Sequence, residues 1–245
     1  MKGLFITATG TDVGKTMITG AIAAACKSRG IHIGVFKPLA SGAVRNSAGQ
    51  LVSEDASFLM KAAGISESER AIVNEICLEP ALTPAVAAKA SGVAIDMEQV
   101  IEHMLQHAQS YDAVLIEGVG GLTAPLWENY LVADLMECLS LPALLVGDAG
   151  LGGINHIVLS DAYARSRQLG LCGIILNRWP ADAGLLETSN VEYIRELTKL
   201  PIWGKMPLSS ELNVQELSQP NLALTAEKSL AMDEIIACMM GEKII

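Results

Sequence analysis

The chain has 245 residues, of which 51% are hydrophobic and only 4% aromatic, and it carries a formal charge of −10 at pH 7. That length suits one α/β domain with a substantial core, and the acidic balance argues against a general nucleic-acid or anionic-membrane surface, since each needs a basic patch. The 22 glycines fit closely packed helices on a sheet, and the five cysteines, Cys26, Cys77, Cys138, Cys172 and Cys238, are odd in number and widely spaced, which suggests buried thiols rather than a disulfide framework or metal cluster.

The chain enters an apolar strand at 3–6 with no cationic leader, and no apolar run reaches the ~18 residues that span a bilayer, so a soluble, cytoplasmic protein without a membrane partner is expected. The strand runs into Thr7-Ala8-Thr9-Gly10-Thr11-Asp12-Val13-Gly14-Lys15-Thr16, and 17–26 continues with the small and apolar residues of a buried helix. Gly14-Lys15-Thr16 reads as the end of a phosphate-binding loop. Glycine admits a polyphosphate to backbone N–H groups, the helix N-terminus adds partial positive charge, lysine reaches the outer phosphates and threonine ligates Mg2+. A strict match requires glycine five positions before Gly14, where Thr9 stands, with Gly10 one residue later. An ordinary turn could open a helix with similar residues, but strand and helix lie where the motif needs them, which favours a nucleotide.

A second strand, 31–37, ends in Lys37-Pro38-Leu39-Ala40-Ser41-Gly42, where proline stops the ladder and leaves functional groups at the strand's carboxyl end, the ligand edge of open parallel sheets. Residues 43–50 read as a mobile surface loop. A helix over 53–63 has Ser53 as N-cap and Asp55 in its first turn, where interaction with the helix dipole is an alternative to a ligand role. The prolines of 74–84 predict an irregular connection. The helix at 96–110 has an apolar face of Met97, Val100, Ile101, Met104 and Leu105, and its His103 and His107 read as a solvated pair, since no ligand-spaced carboxylate or cysteine joins them.

The apolar strand beginning at 113 ends in Glu117-Gly118-Val119-Gly120-Gly121. An acidic residue there can hold magnesium beside a phosphate loop, or be a buried structural carboxylate; the glycines, which permit close approach of a ligand, favour the first. A fourth strand at 141–147 leads through a glycine-rich loop at 148–156 into a helix running to about 167, a second free helix N-terminus suited to an anion. A fifth strand at 171–177 ends in Asn177-Arg178-Trp179-Pro180, a shorter sixth occupies 201–207, and a closing helix is expected over 224–245. The predicted fold is a phosphate-loop (P-loop) NTPase-like α/β architecture, a mainly parallel β-sheet flanked by helices on both faces, in a single domain spanning 1–245.

Taken together, these segments resemble the dethiobiotin synthetase family from residue 5 to about 211. The resemblance rests on Thr7 to Thr16, on Lys-Pro-x-Ala-Ser-Gly at Lys37 to Gly42, which nucleotide binding as such does not require, on Asp55, on Glu-Gly-x-Gly-Gly at Glu117 to Gly121, on Leu-Gly-x-Ile-Asn-His at Leu151 to His156, and on Asn177. It implies a ligase that carbamylates 7,8-diaminononanoate with CO2 (bicarbonate), phosphorylates the carbamate with ATP and closes a cyclic urea. Lys15, Lys37 and Thr11 would serve catalysis, and Thr16, Asp55 and Glu117 would surround Mg2+. ATP would lie against Asp12, Val13, Gly14, Met17, Gly118, Val119 and Gly120, with its base read by Asn177 beside Arg178 in a pocket completed by Pro207, Leu208, Ser209 and Glu211. Ser41 would meet the diamine end. The family is dimeric with sites at the interface, so Gly152, Gly153, Asn155 and Tyr193 would receive the substrate carboxylate from the neighbouring subunit.

The chain departs from the family at Ala8, often glycine, at Asp12, usually glutamate, and at Gly150, where a lysine occurs in members. A partitioning-type switch ATPase is the main rival reading. Such proteins usually carry an early lysine in Lys-Gly-Gly-x-x-Gly-Lys-Thr, absent from this loop, and their membrane-targeting members end in a basic helix, whereas this tail has Asp233, Glu234 and Glu242. An amidotransferase synthetase would need a glutaminase domain for which the chain has no room.

Overall fold

The computed structural model describes residues 1–209, 212–215 and 219–242. In chain order the elements are β1 (Gly3–Ala8), α1 (Lys15–Ser28), β2 (Ile33–Phe36), β3 (Leu39–Ser41), β4 (Val44–Arg45), β5 (Leu51–Val52), α2 (Glu54–Ala63), α3 (Arg70–Val73), β6 (Ile76–Leu78), α4 (Pro84–Ala90) and α5 (Met97–Ala108). They continue with β7 (Ala113–Glu117), β8 (Pro125–Trp127), β9 (Tyr130–Leu131), α6 (Val132–Leu139), β10 (Ala143–Asp148), α7 (Gly153–Ser166), β11 (Leu171–Trp179), α8 (Leu185–Thr198), β12 (Ile202–Pro207), α9 (Leu222–Ser229) and α10 (Met232–Met240).

Six strands form one parallel sheet in the order β12-β11-β10-β1-β7-β2. The strands β1, β2, β7 and β10 are near-continuous buried runs rather than alternating because both faces are covered, whereas edge strand β12 carries Lys205 and is only partly buried. On β1, Leu4 and Ile6 join a core cluster with Ile18 and Ile22 of α1, Phe58 of α2 and Ile235 of α10, while Phe5 points the other way into a cluster with Val100 of α5 and Val132 of α6. A third cluster sets Leu145 of β10 against Ile157 of α7 and Ile194 of α8. The predicted sheet with helices on both faces is therefore the architecture found.

Local chemistry explains several boundaries. Ser53 caps α2 by accepting from the Ala56 N–H at 3.2 Å, and Asp96 caps α5 by accepting from the N–H groups of Glu98 and Gln99. Glycine is required where helices approach closely: a Cβ on Gly20 of α1 would lie 2.3 Å from the Phe58 ring.

Four expectations are corrected. Residues 43–50 contain half of an antiparallel pair, β4 with β5, whose turn is tied by Asn46 Oδ1 accepting from Ala48 N and Gln50 N. The irregular stretch at 74–84 contributes β6, which pairs with β3. The closing helix is two helices: the chain breaks at Leu230 and Ala231 because the Ala231 N–H bonds the Trp203 carbonyl of β12 at 2.6 Å, and residues 243–245 lie outside the described residues. Cys26 and Cys238 are buried, but Cys138 is exposed on the outer side of α6. His103 and His107 lie at the surface of α5, where His103 Nδ1 meets Glu75 Oε1 at 3.1 Å, and among the described residues no group of three or more histidines, cysteines and carboxylates gathers to hold a metal. No helix among the described residues is long and apolar enough to cross a membrane.

The Gly20 contact gives a stability prediction. Gly20→Ala gains about 1 kcal/mol of helix propensity but forces a methyl into a buried ring, and overpacking of this kind costs about 1–3 kcal/mol. Thermal unfolding should show a lower Tm, with Phe58→Leu restoring it in the double variant.

Candidate active site

The parallel register brings the site together. Ile6 of β1 pairs with Glu117 of β7, and Phe36 of β2 pairs with Ile116, so Lys37, one residue past β2, falls beside Glu117. Pro38 then turns the chain away. Lys37 is held by its backbone, its N–H donating to Val73 O and its carbonyl accepting from Asn74 Nδ2 at 2.8 Å.

The phosphate loop joins β1 to α1. Gly14 caps α1 with φ 97, and Asp12 is also left-handed at φ 57, a conformation aspartate tolerates better than most residues. No side chain caps α1 and its first turn holds no acid, so its N–H groups face the loop and favour an anion. Asn177, at the end of β11, donates through Nδ2 to the Val13 carbonyl at 2.8 Å and lies so close that a Cβ on Gly14 would meet Nδ2 at 2.0 Å. Glycine at 14 is therefore needed for both conformation and space.

Behind this loop lies an ionic cluster. Glu117 is fully buried; its Oε1 accepts from Thr16 Oγ1 at 2.9 Å and Lys37 Nζ at 2.5 Å, while its Oε2 has no hydrogen-bond partner among the described residues. Lys37 also reaches Asp55 Oδ2 at 2.7 Å. Burial by itself disfavours the Lys37 ammonium, but Glu117 and Asp55 outweigh it and hold the group above the usual lysine range. Burial would raise Asp55, yet Lys37 and the Thr16 hydroxyl keep its carboxyl below the ordinary range. Lys15 differs: burial, only partly offset by Glu117, brings its ammonium down to about 8, and its Nζ donates to Gly10 O at 3.0 Å. Thr16, Asp55 and Glu117 supply hard oxygen donors that could hold a divalent cation, and the partnerless Glu117 Oε2 is a buried acceptor that such an ion would satisfy.

A cavity of about 480 Å³ opens over this cluster. Thr11, Asp12, Gly14, Lys15, Thr16 and Met17 form its phosphate-loop wall; Lys37, Ser41 and Asp55 line a second side, and Val119 and Gly120 a third. Asn177, Arg178, Pro207, Leu208 and Ser209 lie at the far end. Glu117 lies beneath the cavity, Gly118 is packed against Phe5 and Val132, and Val13 contributes the carbonyl that Asn177 holds. Glu211 lies outside the described residues. The cavity also uses Glu54 and residues 212–215, which no motif marks.

Gly152, Gly153, Asn155 and Tyr193 do not line that cavity. Gly152 caps α7 at φ 89, and a Cβ on Gly153 would strike the Asp148 carbonyl at 2.3 Å. Asn155 is exposed, as is Tyr193 on the neighbouring α8. Both helices show apolar side chains to solvent, Leu159 of α7 at 61% and Leu185 of α8 at 85% exposure, and Leu151 in the loop before α7 is 91% exposed. Two residues without a motif build this region. Buried Asn190 donates to the Ala149 and Gly150 carbonyls, and Asp148 accepts from Gly150 N at 2.8 Å and Arg178 Nη1 at 3.1 Å. Arg178 also donates to the Asp12 carbonyl, so one guanidinium ties the phosphate loop to the 148–153 loop.

Comparison with known proteins agrees with this geometry. A family profile described as an AAA domain matches residues 2–216. The chain is 34% identical over 218 residues to the ATP-dependent dethiobiotin synthetase BioD of Anoxybacillus flavithermus, covering 89% of this chain and 96% of that protein. It is 35% identical to the protein of that name from Bacillus velezensis, covering 94% and 98%, and 36% identical to the one from Bacillus subtilis, covering 84% and 87%. Among solved structures, the MinD cell division protein of Aquifex aeolicus superposes with a TM-score of 0.56 at 20% identity, covering 100% of this chain and 99% of that one. A ParA family ATPase from Chlorobium tepidum gives 0.57 at 18%, covering 98% and 99%; at these identities the likeness speaks for the fold alone. With an AAA-domain match over most of its length and relatives a third identical along nearly all of theirs, the chain belongs to the ATP-dependent dethiobiotin synthetase family.

Proposed function

We propose that this protein, acting as a single domain, is a cyclo-ligase that converts 7,8-diaminononanoate, CO2 and ATP to dethiobiotin, ADP and phosphate. The observation that supports this best is the placement of Lys37, the first residue of Lys-Pro-x-Ala-Ser-Gly, in the same cavity as the phosphate loop and in contact with both carboxylates. A switch ATPase has no need of a second buried lysine facing its nucleotide from a strand end.

One amine adds to CO2 and loses a proton, giving a carbamate; a carbamate oxygen attacks the γ-phosphorus and ADP leaves; the second amine attacks the carbamoyl carbon, the C–O bond to phosphate breaks, and the amine's proton leaves with the phosphate or to solvent. Thr11, Ser41 and the loop amides would orient the diamine end. Lys15 would leave the Gly10 carbonyl for the outer phosphates, and Lys37 would neutralise carbamate oxygens as they approach phosphorus. This is rate enhancement by positioning and preorganised charge. Mg2+, which the donors Thr16, Asp55 and Glu117 suit, would neutralise phosphate charge. Asn177, with Pro207, Leu208 and Ser209, would hold the base.

The substrate carboxylate lies a long alkyl chain from the diamine, so it needs its own anchor. In a homodimer, the N-terminus of α7 with Gly152, Gly153 and Asn155, together with Tyr193, would provide it to the neighbouring subunit. The exposed apolar residues of α7 and α8 support an interface there.

Phosphate release from MgATP by the purified protein should depend on 7,8-diaminononanoate and bicarbonate, with a cyclic urea seen by mass spectrometry; slow release indifferent to the diamine would instead support the switch-ATPase reading. Lys37→Gln should lower turnover by about 100-fold or more, while affinity for metal-free ATP by calorimetry changes little. Glu117→Gln should raise the Mg2+ concentration needed for half-maximal turnover by about tenfold, and an unaltered titration would return Glu117 to a structural role.

A further inference from the structure

The Lys37 ammonium bridges the same carboxylates that would hold the cation, at 2.7 Å from Asp55 Oδ2 and 2.5 Å from Glu117 Oε1. Glu117 Oε1 also accepts from Thr16 Oγ1, so all three oxygen donors of the candidate metal site lie in one cluster around the lysine. Lys37 is 4% exposed and Glu117 fully buried, which leaves little water to screen one charge from another. A divalent cation drawn to Asp55 and Glu117 would meet a like charge already within hydrogen-bond distance of both, with the buried Lys15 ammonium nearby as well. The lysine and the metal compete for the same oxygens.

We propose that Lys37 is a built-in counter-ion that occupies the carboxylate pair and exchanges with the divalent cation arriving with the nucleotide. The exchange releases the ammonium into the cavity that Lys37 lines together with Ser41. It is a motion of the side chain alone, because the Lys37 backbone is fixed by Val73 and Asn74. The catalytic charge is then freed toward the substrate when the metal displaces it from Asp55 and Glu117. This inference rests on the magnesium and nucleotide reading above and adds to it a competition between lysine and metal for one pair of carboxylates.

The test is a Mn2+ titration followed by electron paramagnetic resonance, without nucleotide and without turnover. Lys37→Gln should bind Mn2+ about tenfold or more tightly than the wild type, since the vacated carboxylates no longer have a resident cation. Lys37→Arg, which keeps the charge, should stay as weak as the wild type, and adding Glu117→Gln to Lys37→Gln should abolish the gain. Equal Mn2+ affinity in the wild type and Lys37→Gln would overturn the proposal. Should Lys37→Gln fail to fold, wild-type protein with a non-hydrolysable ATP analogue is treated with an amine-acylating reagent and mapped by mass spectrometry. Labelling of Lys37 should rise several-fold when Mg2+ is added, and no rise would overturn the exchange. Dethiobiotin formation by the wild type is a separate signal, so failure of the exchange and failure of the functional reading are distinguishable.

Discussion

A lysine and a glutamate buried side by side at the end of a parallel sheet set the terms for everything around them. Such a pair is poor value for stability, because desolvating two charges offsets most of their attraction, while removing one partner leaves an uncompensated charge that costs about 3–5 kcal/mol. A core of isoleucine and leucine at these positions would hold the sheet at least as well. The pair is reached only because β2 and β7 are adjacent and in register, and because β7 lies against β1, which delivers the phosphate loop. Strand order is thus what converts three separate segments into one charged cluster.

The surrounding structure keeps that cluster fixed. Asn74, from the segment after α3, bonds the Lys37 and Ile76 carbonyls and so pins the strand end on both sides. Ser53 caps α2 and thereby aims Asp55 at Lys37 from the opposite direction. The apolar helices below contribute most of the favourable free energy, and the ionic groups contribute the chemistry.

What was legible in the sequence follows the range of the forces involved. The strands show as continuous apolar runs, the phosphate loop as a spacing, and Ser53 and Asp96 as caps, since each depends on neighbours a few residues away. Lys37, Asp55 and Glu117 could be named from their motifs, although nothing local says that they touch. Interactions that bridge distant segments left no such trace. The 43–50 turn is ordered by one asparagine side chain, the closing helix is broken by a carbonyl of β12, and Asn74 and Asn190 are buried amides whose partners are backbone carbonyls of other segments. An asparagine in a loop reads as a turn former until the fold shows what it holds.

The Arg178 bridge has a consequence of its own. Its guanidinium holds Asp12 of the phosphate loop and Asp148, the residue that shapes the turn before α7. The two loops are thus joined through one exposed side chain, and a displacement of the phosphate loop pulls on the turn before α7.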